Sequence, residues 1–69
     1  MTPEDIKEAR QTLGLTQAQL GDLLDTVQTT VRRMEMDPIR ATHRSPAPRM
    51  VRLLRAYLDG YRPADWPRA

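Results

Sequence analysis

Apolar residues recur at helical spacing in four stretches of this chain, and polar or helix-breaking residues separate them. Ile6, Ala9 and Leu13 mark the inner face of a first helix. Thr2-Pro3-Glu4-Asp5 opens it with a capping hydroxyl, a proline at the first helical position and acids in the first turn. Gly14 supplies the left-handed residue that stops it. Thr16 and Gln19 form a capping box for the next helix, with Leu15 and Leu20 placed as its hydrophobic staple. Leu20, Leu23 and Leu24 follow i, i+3, i+4 spacing. Asp25-Thr26 interrupts the pattern, and Val27, Val31 and Met34 resume it on a third helix. Asp37-Pro38 ends that helix, because a residue before proline avoids the helical region. Ser45-Pro46 or Ala47-Pro48 opens a last helix that stops at Gly60. The pattern predicts an all-α fold, a small bundle of about four helices near residues 3–13, 17–24, 27–36 and 47–59, in one domain spanning 1–69.

The third helix carries the most informative chemistry. At about 100° per residue, the face opposite its apolar stripe holds Gln28, Thr29, Arg32, Arg33 and Met36. A Gln amide can pair with N6 and N7 of adenine, and a guanidinium can fork onto O6 and N7 of guanine. Thr can bond a base edge or lay its methyl against thymine. The charge distribution fits that chemistry. The net charge is only +2. Residues 1–27 hold Lys7 and Arg10 against five acids, whereas residues 28–69 hold nine Arg against four. The basic excess therefore begins at the third helix, and all of it is Arg, the residue suited to phosphate and guanine edges. For the Arg residues after position 40, a solvated surface of a GC-rich genome remains the alternative.

The stretch from Ile6 to about Glu35 resembles the helix-turn-helix of Cro and lambda-repressor (Xre-type) transcriptional regulators. Arg10, the Leu13-Gly14-Leu15 junction, Gln17, Leu20, Val31 and Glu35 carry the resemblance in order and without gaps; the motif itself covers residues 16–35. The chain departs from that pattern at four places. Asp25 stands where the family has a turn Gly, Gly21 where it favours Ala, and Met34 where it has a larger apolar residue. Val27 stands where it has a capping Ser or Thr, so Thr26 is the expected cap and the helix start is fixed to within about one position.

The resemblance implies sequence-specific binding of double-stranded DNA as a transcriptional repressor of its own or a neighbouring operon. Base contacts fall to Gln28, Thr29, Arg32 and Arg33, although one or both Arg residues can instead bind only phosphate. Phosphate contacts fall to Gln17, Arg40 and Arg44, with Arg49 next. The matching Gln in the family also braces the first residue of the recognition helix. Arg10 and Glu35 are implied as a structural ion pair. Small regulators of this type occur in phages, prophages and mobile elements, including those associated with anti-CRISPR genes. The competing reading is a protein-interaction or antitoxin-like module that uses the motif as scaffold.

The last helix is apolar over close to half its circumference, through Met50, Val51, Leu53, Leu54, Tyr57 and Leu58, wider than the roughly 100° stripe of a one-sided contact. Either the tail, residues 60–69, covers the excess, or a second subunit does. Met50, Val51, Leu54, Tyr57, Leu58 and Trp66 are accordingly the expected interface of a homodimer on a palindromic operator. Trp66 is expected to fold back onto the last helix or across to a partner. The segment 37–48 reads as a loop with Ile39 as its apolar anchor and with Arg40 and Arg44 able to face phosphates; the lone His43 reads as solvated surface, with phosphate contact the alternative. A core for 69 residues is marginal alone, which also favours a dimer, and the length leaves no room for a ligand-sensing domain. There is no Cys and only one His, and no paired carboxylates lie in an apolar setting. No metal, no cofactor and no enzymatic activity are expected. No leader and no membrane-length apolar run are present, so the expected location is cytoplasmic.

Overall fold

The computed structural model describes residues 1–67. Four helices follow one another, α1 (Pro3–Thr12), α2 (Gln17–Leu23), α3 (Gln28–Met34) and α4 (Pro48–Leu58), and no strand occurs among the described residues.

The first two helix starts are fixed by local chemistry. Thr2 Oγ1 accepts from the Asp5 N–H at 3.1 Å, and the Asp5 carboxylate accepts from the Thr2 N–H at 3.0 Å. Those bonds, the backbone one foremost, hold the Asp5 carboxyl below its ordinary range. Thr16 and Gln19 repeat the device at 3.1 and 2.9 Å. Three residues adopt positive φ where the chain must turn: Gly14 after α1 (+71°), Asp25 between α2 and α3 (+58°) and Gly60 after α4 (+105°). Asp25 thus fills the position where the family has Gly, as an Asp can. Of the two openings considered for the last helix, Ala47-Pro48 is the one used, with Pro48 at its first position.

The core draws on every helix. Ile6 and Ala9 come from α1, Leu15 and Leu20 from the entry to α2, Val31 and Met34 from α3, and Leu54 and Tyr57 from α4, with Leu24 closing the cluster. Ile6, Leu20, Val31 and Met34 are the largest fully buried side chains. Each contributes about 1.5–3 kcal/mol of burial. Two of the four belong to α3, so the third helix is seated as firmly in the core as its short length allows.

The apolar width of α4 is used mainly inside the molecule. Leu54 and Tyr57 are each 2 % exposed, so they belong to the core of this chain and not to a subunit interface. Helical periodicity identifies an apolar face but not what covers it. The tail packs on the end of α4. Trp66 packs edge-on against Tyr57 with centroids 5.2 Å apart, and Tyr61 stacks on the same ring at 5.9 Å. Arg62 lies 4.2 Å over Trp66 and donates to the carbonyls of Tyr57 (2.7 Å) and Tyr61 (2.9 Å), closing the end of α4. Met50, Val51 and Trp66 stay half-buried, and Leu58 is exposed.

The loop after α3 is held by polar atoms. Ile39, expected as its anchor, is 89 % exposed. The anchoring falls to His43, whose Nδ1–H donates to the Met36 carbonyl at 3.1 Å, and to the Arg44 N–H, which donates to the Arg33 carbonyl at 3.2 Å. His43 is therefore a half-buried loop tie and not the solvated surface residue expected.

Candidate nucleic-acid interface

α3 presents two opposed edges. Val31 and Met34 are buried, while Gln28, Thr29 and Arg32 are exposed and Arg33 is half-buried. At about 100° per residue, Thr29 stands opposite the midpoint between Val31 and Met34, with Arg32 and Arg33 on either side of it. The structure thus brings the four expected base-contacting residues onto one edge. Met36, expected on the same edge, leaves it. α3 ends at Met34 with Glu35 as its C-cap, and Met36 is drawn into the loop, its sulfur accepting from Thr42 Oγ1 at 3.3 Å.

Val27 also departs from expectation. Extrapolating the helix places it on the buried stripe, but it is the N-cap, with φ −105° and ψ 159°. That extended conformation turns the side chain out of the core, to 63 % exposure. Thr26 does not supply the cap in its place, and α3 begins without a side-chain capping bond.

The edge is held by a clamp at the other end of α3. Arg10 Nε and Nη2 donate to Glu35 Oε2 and Oε1 at 2.7 and 3.0 Å, and Arg10 Nη1 donates to the Leu15 carbonyl at 3.0 Å. Arg10 and Glu35 side chains are 14 % and 6 % exposed. Gln17 Nε2 adds a bond to Glu35 Oε1 at 3.3 Å. Gln17 therefore braces the residue after α3 and not its first residue. One amide hydrogen of Gln17 is committed there, and its NH₂ group retains a second. The clamp ties α1, the start of α2 and the end of α3 around one carboxylate.

Electrostatically, α3 carries no acid, and Arg32 and Arg33 lie in its last turn, where the helix dipole favours cations. Arg10–Glu35 is the one ion pair among the described residues, so Arg32, Arg33, Arg40, Arg44 and Arg49 have no acidic partner there. The Arg44 backbone bond to Arg33 places the basic loop beside the end of α3, and Arg40 and Arg49 are exposed on either side of that attachment. Among the described residues no group of acids and His is arranged to hold a metal, and no helix is long and apolar enough to cross a membrane.

The ties made by His43, Met36 and Gln17 were not readable in advance, since each depends on where two loops meet. Arg62 did carry a local signal, a basic side chain placed just past a helix end. No curated protein and no solved structure is matched by the chain. A family model described as Helix-turn-helix matches residues 6–66, nearly the whole chain and all four helices except the first turn of α1. The chain belongs to the Cro and lambda-repressor type of helix-turn-helix proteins, a family of DNA-binding regulators.

Proposed function

We propose that the protein is a sequence-specific repressor that occupies a palindromic operator as a homodimer and controls its own or a neighbouring operon. The observation that carries this reading is the outer edge of α3, where Gln28, Thr29, Arg32 and Arg33 share one face of an acid-free helix anchored by Val31 and Met34. Gln28 is suited to adenine, Thr29 to a base edge or a thymine methyl, and Arg33 to guanine, with Arg32 reading guanine or gripping phosphate. Arg40, Arg44 and the remaining amide hydrogen of Gln17 supply phosphate contacts that set register without reading sequence. For dimerisation, Leu58 (42 % exposed) and Tyr61 (54 % exposed) are the apolar side chains left open at the end of α4 and the tail. Two such copies read half-sites about one turn of DNA apart, roughly 34–36 Å.

The test is a gel shift of the protein on DNA from upstream of its own gene and on random DNA, at two salt concentrations, with the mass of the free protein and of the complex measured by light scattering. A tighter operator complex holding two copies is expected. Equal affinity for the two DNAs at both salt concentrations would overturn the repressor reading. A complex holding one copy would overturn the dimer.

A further inference from the structure

Val27 breaks a local rule at the position where it matters most for DNA reading. An N-cap favours Ser, Thr, Asn or Asp, whose side-chain oxygen satisfies a free helix N–H. Here the position holds a Val whose side chain makes no cap and is 63 % exposed, whereas α1 and α2 each begin with a complete capping box; α4 also lacks a side-chain cap, but its N-cap is the small, half-buried Ala47. Its backbone, by contrast, is closely fixed. The Val27 carbonyl accepts from Thr30 and Val31 N–H groups at 3.1 and 3.3 Å, and the Thr26 N–H donates to the Gly21 carbonyl at 2.8 Å. A Cβ built on Gly21 would lie 3.1 Å from the Val27 carbonyl carbon, so α2 rests directly against this peptide. The result is a rigid backbone presenting two methyl groups to solvent beside Gln28 and Thr29. A β-branched side chain is stiff at χ1, so this pair of methyls loses little freedom on contact.

The N-terminal residues of a recognition helix approach the base edges of the major groove. The apolar group available there is the C5-methyl of thymine. From that geometry we propose that Val27 is a specificity-determining residue that reads a thymine C5-methyl at one position of the operator. The proposal rests on the DNA-reading assignment of α3 and adds to it a residue chosen for apolar contact and not for hydrogen bonding. The missing cap is the local consequence: a Ser at position 27 would complete the helix start but would remove the methyls.

The experiment begins with sites selected by the wild-type protein from a random duplex library. Each thymine of the selected site is then replaced singly by deoxyuridine, which keeps the base pair and its hydrogen-bonding edge and deletes only the methyl. Affinities are measured for the wild type and for V27S, with thermal melting of both. At one thymine the wild type is expected to lose about three- to fivefold in affinity, as burial of one methyl group implies. V27S is expected to bind the thymine and deoxyuridine versions of that position equally and to melt at or above the wild-type temperature. A wild-type scan with no sensitive thymine overturns the proposal while an enriched sequence leaves the reading face of α3 standing. A sensitive thymine that stays equally sensitive in V27S assigns the methyl contact to another side chain and also overturns it. Failure of any sequence to enrich removes the reading face, and this proposal with it.

Discussion

The clamp around Glu35 is the feature whose loss should matter most to both stability and binding. Arg10 and Glu35 make two parallel charge-assisted bonds of 2.7 and 3.0 Å, with side chains 14 % and 6 % exposed. An exposed pair is worth about 0–1 kcal/mol, whereas removing one partner of a buried pair costs about 3–5 kcal/mol. Arg10 keeps its bond to the Leu15 carbonyl and touches some water, which places the cost of Glu35→Gln near the lower figure, about 3 kcal/mol. A chain of 69 residues has roughly 3–10 kcal/mol of total stability, so this single change consumes a large share of it. Urea denaturation of the wild type, Arg10→Met, Glu35→Gln and the double variant measures the pair directly. The double variant should be less destabilised than the sum of the singles, with a coupling of about 1–3 kcal/mol. The clamp holds the end of α3 and reads no base, so on DNA the singles should weaken operator and random sequence alike. Single-variant losses below about 0.5 kcal/mol, in the range of ordinary surface substitutions, would refute the reasoning and reduce the clamp to two solvated charges.

Three further outcomes follow from the same structure. Gln28→Ala or Arg33→Ala should cost about 1–3 kcal/mol on the operator and much less on random DNA at one fixed salt concentration; equal losses would place both side chains on the backbone. Arg44→Ala should weaken all sequences by a similar factor and lower the salt slope by about 1, and an unchanged slope would return Arg44 to the solvated surface. Burial foremost, with the negative charge of Asp65 and the neighbouring Tyr61 phenol adding to it, raises the Tyr57 phenol above its ordinary value. A raised folded-state value stabilises fully below the unfolded pKa of about 10 and is lost as pH rises through the folded one. The wild type should therefore lose stability above that pH more steeply than Tyr57→Phe, and parallel alkaline denaturation curves would contradict this.

Helix positions were legible because their causes are local. The Thr2 and Thr16 caps, Gly14, Asp37-Pro38 and Gly60 fix the ends within a residue or two of where α1 to α4 begin and stop. The exposed edge of α3 was legible for the same reason, as the buried Val31 and Met34 set its direction. What failed needed information from across the fold. Ile39 looked like an anchor as the lone apolar residue of its stretch, but polar ties at His43 and Arg44 hold that loop. Leu54 and Tyr57 looked available to a partner, but the cores of the other helices and the tail take them. Val27 fitted the helical period and lay one residue outside the helix, where the period no longer applies.

The four residues by which this chain departs from its family do not behave alike. Met34 simply fills the core. The other three cluster between Gly21 and Val27, around the turn that aims α3. Gly21 costs about 1 kcal/mol of helix propensity relative to Ala. An added Cβ there would meet backbone at 3.1–3.3 Å, from Val27, Thr26 and Gln28, which cannot swing aside as the end of a side chain can. Restoring Ala therefore pushes the start of α3 outward by a few tenths of an ångström. Asp25 holds a left-handed conformation that Gly would adopt without penalty. Val27 forgoes a cap worth about 1 kcal/mol. These penalties sit at the N-terminal end of α3, whereas the starts of α1 and α2 are fully capped. Three departures from local preference thus fall together around the turn before α3, and elsewhere only the start of α4, at Ala47, also lacks a side-chain cap. Under the proposed reading, stabilising this turn and preserving the aim of α3 are opposed demands on the same seven residues, Gly21 to Val27.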